Sequence, residues 1–267
     1  MAETTVITFG NFKGGTGKTT NSTMMAYELS SMGYKVLLVD QDPQANATSL
    51  YLKTKNVLDG EIVTFDKTLM SAISEGDLRP IITNIKENLD LLPSFSDFAL
   101  YPNYMEQKYP GDYKSRVRVF DSLLSEIKGD YDFVFIDVPP TIGLITDSAL
   151  YASDGVVVVL QTHERSLQGS EIFLNYLTSI VDEYDTNLGM VGILPVLLKN
   201  DSRIDTAILN KAKEMFGEEN VFNKVVKNRE RLKRFDITGI TDEDMHDRRV
   251  HVSYMDICEE FIQRLKG

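Results

Sequence analysis

A glycine-rich segment near the start of the chain carries the residues best suited to bind phosphate. It reads Gly10-Asn-Phe-Lys-Gly-Gly-Thr-Gly-Lys-Thr-Thr20. Its glycines let the backbone turn so that successive N–H groups point at an anion. The pattern places Lys18 to reach the β- and γ-phosphates of a nucleotide, and the Thr19 hydroxyl to bind Mg²⁺. The predicted phosphate-binding residues are Gly14, Gly15, Thr16, Gly17, Lys18, Thr19 and Thr20.

Two later segments end in aspartates that belong beside such a loop. The apolar run 34–39 leads into Asp40-Gln-Asp42-Pro43, and the run 131–136 leads into Asp137. Carboxylates at the C-terminal ends of parallel strands face the ligand crevice of an open α/β sheet. An aspartate at the end of an apolar strand is the Walker B arrangement, so Asp137 is predicted to hold Mg²⁺ through a water molecule. A capped turn is the alternative interpretation of Asp42-Pro43.

The phosphate loop departs from the common P-loop pattern at its head. The pattern G-x-x-x-x-G-K-[ST] would place glycine at position 12, where this chain has Phe12, and a second lysine follows as Lys13. This arrangement resembles the deviant P-loop of the ParA/MinD class of ATPases. The resemblance implies that Lys13 reaches across a dimer interface to the nucleotide of the other subunit; a solvated loop lysine is the alternative. It also implies that Asp42 orients the attacking water and that Asp40 supports the Mg²⁺ shell.

These assignments give a predicted nucleotide site with ATP and Mg²⁺ as its ligands. The predicted catalytic residues are Lys13, Lys18 and Asp42, and the predicted metal residues are Thr19, Asp40 and Asp137.

The segments that must position these residues alternate along the chain: apolar runs, which predict strands, are followed by segments with the apolar spacing of a helix. A short apolar run, 5–9, precedes the loop, and residues 20–32 have the spacing of a helix. Residues 155–160 form an unbroken apolar run typical of a strand buried on both faces of a parallel sheet. The pattern also predicts a helix over 77–86 and a last strand over 220–226.

No break in composition divides this series. The sequence therefore predicts a single α/β domain over residues 1–267, doubly wound, with a mostly parallel sheet and helices on both faces. Residues 51–115 contain no pattern that specifies chemistry.

Composition limits the other chemistry available to the chain. Its net charge of −12 argues against a surface coated for nucleic acid. Cys258 is the only cysteine, which excludes a disulfide framework and the iron–sulfur cluster of the nitrogenase iron protein, a relative of the deviant-loop class. No segment approaches the roughly 18 apolar residues of a membrane span, and the first residues lack the basic start of a signal peptide. We therefore expect a cytoplasmic protein without a membrane partner.

One segment runs against the acidic charge. Between Lys224 and Arg234 the chain has six cations and one anion. ParA-like proteins carry positive residues at this place that contact DNA phosphates without sequence preference; a solvated helix face is the alternative. The predicted DNA-binding residues are Lys227, Arg229, Arg231 and Arg203.

The resemblance extends over essentially the whole chain and implies a function. It implies an ATPase for plasmid or chromosome segregation that forms a sandwich homodimer with ATP and binds nucleoid DNA in that form. A centromere-binding, ParB-type adaptor would stimulate hydrolysis and release the protein. No helix-turn-helix domain precedes the loop, so a short form of the family is expected. The alternative function is a nucleotide-gated scaffold that recruits a protein cargo without binding DNA.

Overall fold

Seven strands form the central sheet of the computed structural model, which describes residues 3–197, 199, 202–228 and 230–266. The strands are β1 (Thr5–Gly10), β2 (Val36–Asp40), β3 (Thr83–Lys86), β4 (Leu89–Leu92), β5 (Phe133–Asp137), β6 (Gly155–Gln161) and β7 (Gly189–Val196). They lie in the order β3-β4-β2-β5-β1-β6-β7. All neighbouring pairs are parallel except β3–β4 at the edge. The predicted doubly wound, mostly parallel sheet is confirmed.

Helices cover both faces of the sheet. One face packs against α1 (Lys18–Ser31), α2 (Asn46–Asp59), α9 (Glu230–Thr238) and α10 (Met245–Lys266). The other packs against α3 (Leu69–Glu75), α4 (Tyr101–Lys108), α5 (Tyr113–Ser125), α6 (Leu144–Tyr151), α7 (Glu164–Tyr184) and α8 (Arg203–Phe216). Within the described ranges, no helix is long and apolar enough to cross a membrane.

Strand β6 shows why this sheet needs helices on both sides. Its residues from Val156 to Leu160 are all fully buried. Val156 and Val158 belong to the core under α3–α8, whereas Val157 and Val159 belong to the core under α1 and α10. Because neighbouring side chains of a strand point to opposite faces, an unbroken apolar run supplies both cores.

Two predicted elements are wrong. Residues 77–86 form a short 3-10 turn, Arg79–Ile81, followed by strand β3, because β3 pairs antiparallel with β4 through a tight turn at Asn88, where φ is 62°. The predicted strand over 220–226 is reduced to two isolated bridges, Val221 to Ile193 and Val226 to Val196. The chain there runs along the sheet edge instead of extending it.

A buried ion pair fastens α10 to α1. His251 Nδ1 lies 2.5 Å from Glu28 Oε1, and His251 Nε2 lies 2.9 Å from the Thr241 carbonyl oxygen. Glu28 is 1% exposed. Two acceptors face the two ring nitrogens, so the doubly protonated imidazolium fits this site. Burial is the largest single influence and lowers the pKa of His251, but the hydrogen bond that the ring donates to Glu28, together with the charge of Glu28, raises this pKa overall.

This pair predicts a dependence of stability on pH. The pKa of His251 is higher in the folded state than in the unfolded chain, so its contribution is complete below the ordinary histidine pKa near 6.5 and is lost as pH rises through the folded pKa. We expect His251→Gln to lower the free energy of unfolding by about 3 kcal/mol at pH 6, because Glu28 is left buried without its cation, and by less at pH 9. Urea unfolding at both pH values measures this. His246→Gln, at an exposed histidine of the same helix, is the control; equal losses at both pH values in His251→Gln would contradict the charged pair.

Candidate active site

The phosphate loop connects β1 to α1 with a backbone that glycine makes accessible. Gly15 and Gly17 have φ values of 72° and 95°, in the left-handed region that side chains disfavour. Gly17 is the N-cap of α1, and no side chain caps the helix there. The first N–H groups of α1 are therefore not capped by a side chain and remain available to bind an anion.

Aromatic packing explains why phenylalanine stands at the head of the loop. The Phe12 ring lies edge-to-face against Phe173 at 4.9 Å and against Tyr176 at 5.0 Å, both on α7. A Cβ at Gly10 would come within 2.1 Å of Phe173 Cζ, so glycine is required where β1 passes this ring. Phe12 thus anchors the loop to α7, which a glycine at this position would not do.

The side chain of Lys13 makes its hydrogen bonds within the same chain. Its ammonium donates to Ser166 Oγ at 2.9 Å and to Gln161 Oε1 at 3.4 Å. Its backbone N–H donates to Asn11 Oδ1 at 2.9 Å. These partners hold a half-buried lysine at the start of α7. Its contact with a second subunit stays a prediction, and that contact requires Lys13 to leave Ser166.

Three predicted residues come together at the base of the loop. Lys18 is 6% exposed, and burial lowers its pKa while the charges of Asp137 and Asp42 oppose that shift. The Thr19 hydroxyl donates to Asp137 Oδ2 at 2.7 Å. The positive charge of Lys18 and the carboxylates therefore share one buried site beside the helix N-terminus.

Asp40 and Asp137 are neighbours in the sheet. They are paired in the register of β2 and β5, and both are fully buried. Burial raises the pKa of both carboxyl groups, and the charge of Asp40 adds to the effect on Asp137. A nearby cation would stabilise the charged form of two adjacent buried carboxylates.

The two aspartates differ in their free oxygens. Asp40 Oδ1 accepts from the Asp42 N–H, and Asp40 Oδ2 accepts from the N–H and hydroxyl of Thr48. Asp137 Oδ1 is buried with no hydrogen-bond partner among the described residues. The chemistry of Thr19 and Asp137 therefore fits Mg²⁺, an oxygen-seeking ion, better than that of Asp40. The described part of the chain contains no cluster of three or more histidine, cysteine or acidic residues that could hold a metal.

Asp42 occupies the loop between β2 and α2. It is half-buried, and its Oδ1 accepts from the Gln44 N–H at 2.9 Å. Its charge acts on Lys18. Asp42 thus lies near enough to Lys18 for its charge to act there, while its backbone N–H is tied to Asp40.

A cleft beside the phosphate loop was not predicted. It has a volume of about 320 Å³ and lies between the start of α1, the end of β7, the segment before α9, and α10. Tyr254 donates to Asn21 Oδ1 at 3.1 Å, and Asn21 Nδ2 donates to the Gly17 carbonyl at 2.7 Å, so one wall is tied to the loop. Its mixture of apolar and amide groups suits a nucleoside. The residues that line it and that the sequence did not single out include Asn21, Val196, Val226, Leu232 and Tyr254.

The predicted DNA-binding residues fall into different environments. Lys227 and Arg203 are exposed, and Arg203 begins α8. Arg229 lies outside the described residues.

Arg231 is not available in the way the sequence predicts. Its side chain is 12% exposed, its Nε lies 3.0 Å from Asp247 Oδ1, and Asp244 is a second partner. Both aspartates lie in the acidic segment 241–247. Arg231 therefore stabilises the junction of α9 and α10, which argues against its predicted contact with DNA. Lys233 and Arg234 lie beside it on the exposed face of α9, where Lys233 pairs with the exposed Glu230.

Comparison with known proteins shows what the chain as a whole is similar to. A family model described as an AAA domain matches residues 4–190, a range that contains Lys18, Asp40 and Asp137. The sporulation initiation inhibitor protein Soj of Bacillus subtilis is 32% identical over 259 residues, which span 96% of this chain and 97% of that protein. The chromosome partitioning protein ParA of Myxococcus xanthus is 29% identical over 230 residues, 85% of this chain and 76% of that protein.

A solved structure supports the fold. Apo McdA from Cyanothece superimposes with a TM-score of 0.81, covering 98% of this chain and 100% of that chain, at 18% identity. The order of strands and helices described above is thus one that an experimentally determined structure also adopts.

Proposed function

The chain belongs to the ParA-type family of partition ATPases, and from that premise we propose that it is a DNA-segregation switch driven by ATP and Mg²⁺. The observation that carries the proposal is the buried site in which Lys18, Thr19 and Asp137 meet at the start of α1. A buried lysine, a helix N-terminus and a free carboxylate oxygen together suit a nucleoside triphosphate.

Different residues around this site have different roles in binding and hydrolysis. The loop N–H groups and Lys18 bind the phosphates, and the cleft beside Asn21 and Tyr254 accepts the nucleoside. The Thr19 hydroxyl and Asp137 would hold Mg²⁺, and the ion would supply positive charge to neutralise the phosphates. Asp42 orients the attacking water, and Asp40 fixes the Asp42 backbone.

ATP closes a homodimer in this proposal. Lys13 then exchanges Ser166 and Gln161 for the phosphates of the facing subunit, a change that its half-buried position at the loop head allows. The dimer binds nucleoid DNA, and an adaptor of the ParB type stimulates hydrolysis and release. The site is thereby a timed switch whose two states differ in subunit contact.

Exposed cations on α9, and one just before it, support contact with DNA. Lys227, Lys233 and Arg234 are exposed, and Lys227 and Lys233 also line the nucleotide cleft. In this proposal, the nucleotide and the DNA therefore both bind next to Lys227 and Lys233. Phosphate contacts of this kind need no base-reading residues.

A triple substitution tests this surface. We expect Lys227→Ala/Lys233→Ala/Arg234→Ala to weaken ATP-dependent binding to nonspecific duplex DNA about 10- to 100-fold, and to reduce the magnitude of the slope of log K against log salt by about 3. The measurement is fluorescence anisotropy with labelled DNA over a salt series, with ATP affinity determined in parallel because two of the residues line the cleft.

The matched control removes the same charges elsewhere. Lys35→Ala/Lys108→Ala/Arg118→Ala replaces two exposed lysines and one exposed arginine outside α9, and should leave the salt slope unchanged. Equal losses in the two triple variants would show that net charge, and not this surface, governs binding.

Two observations favour the second candidate, a scaffold that recruits a protein cargo. The net charge is −12, and Arg231 is neutralised within the chain. A dimer that forms with ATP but binds no DNA at low salt would support the scaffold and reject the segregation switch.

A further inference from the structure

The loop that carries Asp42 is closed by hydrogen bonds between its two ends. Thr48, in the first turn of α2, donates from both its N–H and its hydroxyl to Asp40 Oδ2, at 2.9 and 2.8 Å. The other oxygen of Asp40 accepts from the Asp42 N–H at 3.0 Å. One carboxylate therefore connects the end of the loop to the residue at its centre.

A backbone group on the neighbouring strand segment fixes the Thr48 hydroxyl. The Ser94 N–H, two residues after β4, donates to Thr48 Oγ1 at 2.9 Å. Thr48 is 2% exposed, and both Ser94 and Asp40 are fully buried. A hydroxyl has one proton to donate. Since its oxygen already accepts from Ser94, that proton is directed at Asp40.

The backbone between these anchors is held in an unfavourable conformation. Ala45 has a φ of 54°, and its N–H donates to the Asp42 carbonyl at 2.8 Å. A non-glycine residue persists in the left-handed region when the surrounding contacts require it. The bonds between Thr48 and Asp40 are such contacts, because they span the segment that contains Ala45.

We infer that Thr48 is a positioning residue for ATP hydrolysis: through Asp40 it holds the Asp42 backbone where the Asp42 carboxylate addresses the attacking water. This inference rests on the role proposed above for Asp42. Thr48 lies outside the phosphate loop and outside the lining of the nucleoside cleft, so its effect should fall on turnover and not on ATP affinity.

The test compares Thr48→Val, which removes the hydroxyl, with Thr48→Ser, which keeps it. We expect Thr48→Val to lower kcat about 10- to 100-fold, because small errors in the placement of a reacting group have effects of this size, while KM for ATP changes less than about threefold. Thr48→Ser should retain kcat within about threefold of the wild type. Hydrogen exchange of the segment 40–49 should quicken in Thr48→Val and not in Thr48→Ser.

Thr54→Val is a matched control on the same helix. The Thr54 hydroxyl is equally buried, donates to the Leu50 carbonyl at 2.8 Å and accepts from the Ile240 N–H at 2.9 Å, but does not contact Asp40. Both valine variants should lower Tm by about 2–6 °C, whereas kcat should fall only in Thr48→Val. A general loss of stability would lower kcat in both.

Several outcomes would overturn the inference. A wild-type kcat in Thr48→Val overturns the inference, as does a loss of ATP affinity as large as the loss of kcat. Asp42→Ala, measured in parallel, separates this inference from the proposed function: normal turnover in Asp42→Ala refutes the role of Asp42 and the inference with it, whereas lost turnover in Asp42→Ala with normal turnover in Thr48→Val refutes the inference alone. The assay contains no DNA, so a failure of DNA binding does not affect it.

Discussion

Replacing Asp42 by alanine is expected to lower ATP turnover at least about 100-fold, the loss typical of removing a group that moves or orients a proton in the reaction, while ATP affinity changes less than about threefold. Asp42 is half-buried, and its carboxylate accepts from the Gln44 N–H, so it does not hold the phosphate loop together. Its charge lies near Lys18, and its removal leaves Lys18 free to bind phosphate. Single-turnover hydrolysis and equilibrium binding of a fluorescent ATP analogue measure the two quantities separately.

Two further variants sharpen this result. Asp42→Asn keeps the size of the side chain and an oxygen for the Gln44 N–H, so it should bind ATP normally and hydrolyse it as slowly as Asp42→Ala. Asp59→Ala removes an exposed aspartate at the far end of α2 and should leave turnover unchanged. If Asp42→Ala instead loses ATP binding, Asp42 belongs to the Mg²⁺ shell and not to the positioning of water.

Replacing Lys18 by alanine is expected to weaken ATP binding about 100-fold or more, which corresponds to about 3 kcal/mol. Lys18 is 6% exposed and lies in the field of Asp137 and Asp42. Without it, the triphosphate would enter a buried site whose remaining side-chain charges are carboxylates, and the repulsion is not screened there. Isothermal titration with ATP and Mg²⁺ measures the affinity directly.

Lys13→Ala is the informative comparison for Lys18→Ala. Lys13 donates to Ser166 and Gln161 within its own subunit, so its removal should leave the affinity of a single chain for ATP within about threefold of the wild type. The Lys13→Ala substitution should instead weaken ATP-dependent dimerisation. Equal affinities for ATP in Lys18→Ala and the wild type would contradict the assignment of the phosphate site.

The proximity of the residues proposed to bind the nucleotide was predictable, because they lie at the ends of strands that the sequence marks clearly. Lys18 and Thr19 follow β1 through glycines, and Asp40 and Asp137 terminate two apolar runs. In a parallel sheet such strand ends meet at one edge, so the contact between Thr19 and Asp137 follows from local patterns across 118 residues of chain.

The features that escaped prediction depend on partners that no local pattern specifies. The sequence predicts Arg231 to be a surface cation, because nothing in its local pattern indicates that Asp244 and Asp247 are its partners. Residues 77–86 have helical spacing, but pairing with β4 overrides it. The cleft beside Asn21 and Tyr254 requires α9 and α10 to pack beside α1, which is a result of tertiary structure.

In the proposed switch ATP controls binding to DNA, and retention of the protein on nonspecific duplex DNA tests that control. Retention is measured with no nucleotide, with ADP, with ATP, and with ATP for Asp42→Ala, at a low and a high salt concentration. We expect binding that needs ATP, weakens steeply with salt and lasts longer in Asp42→Ala. Binding that is absent in every state, in protein shown to dimerise with ATP, would contradict it.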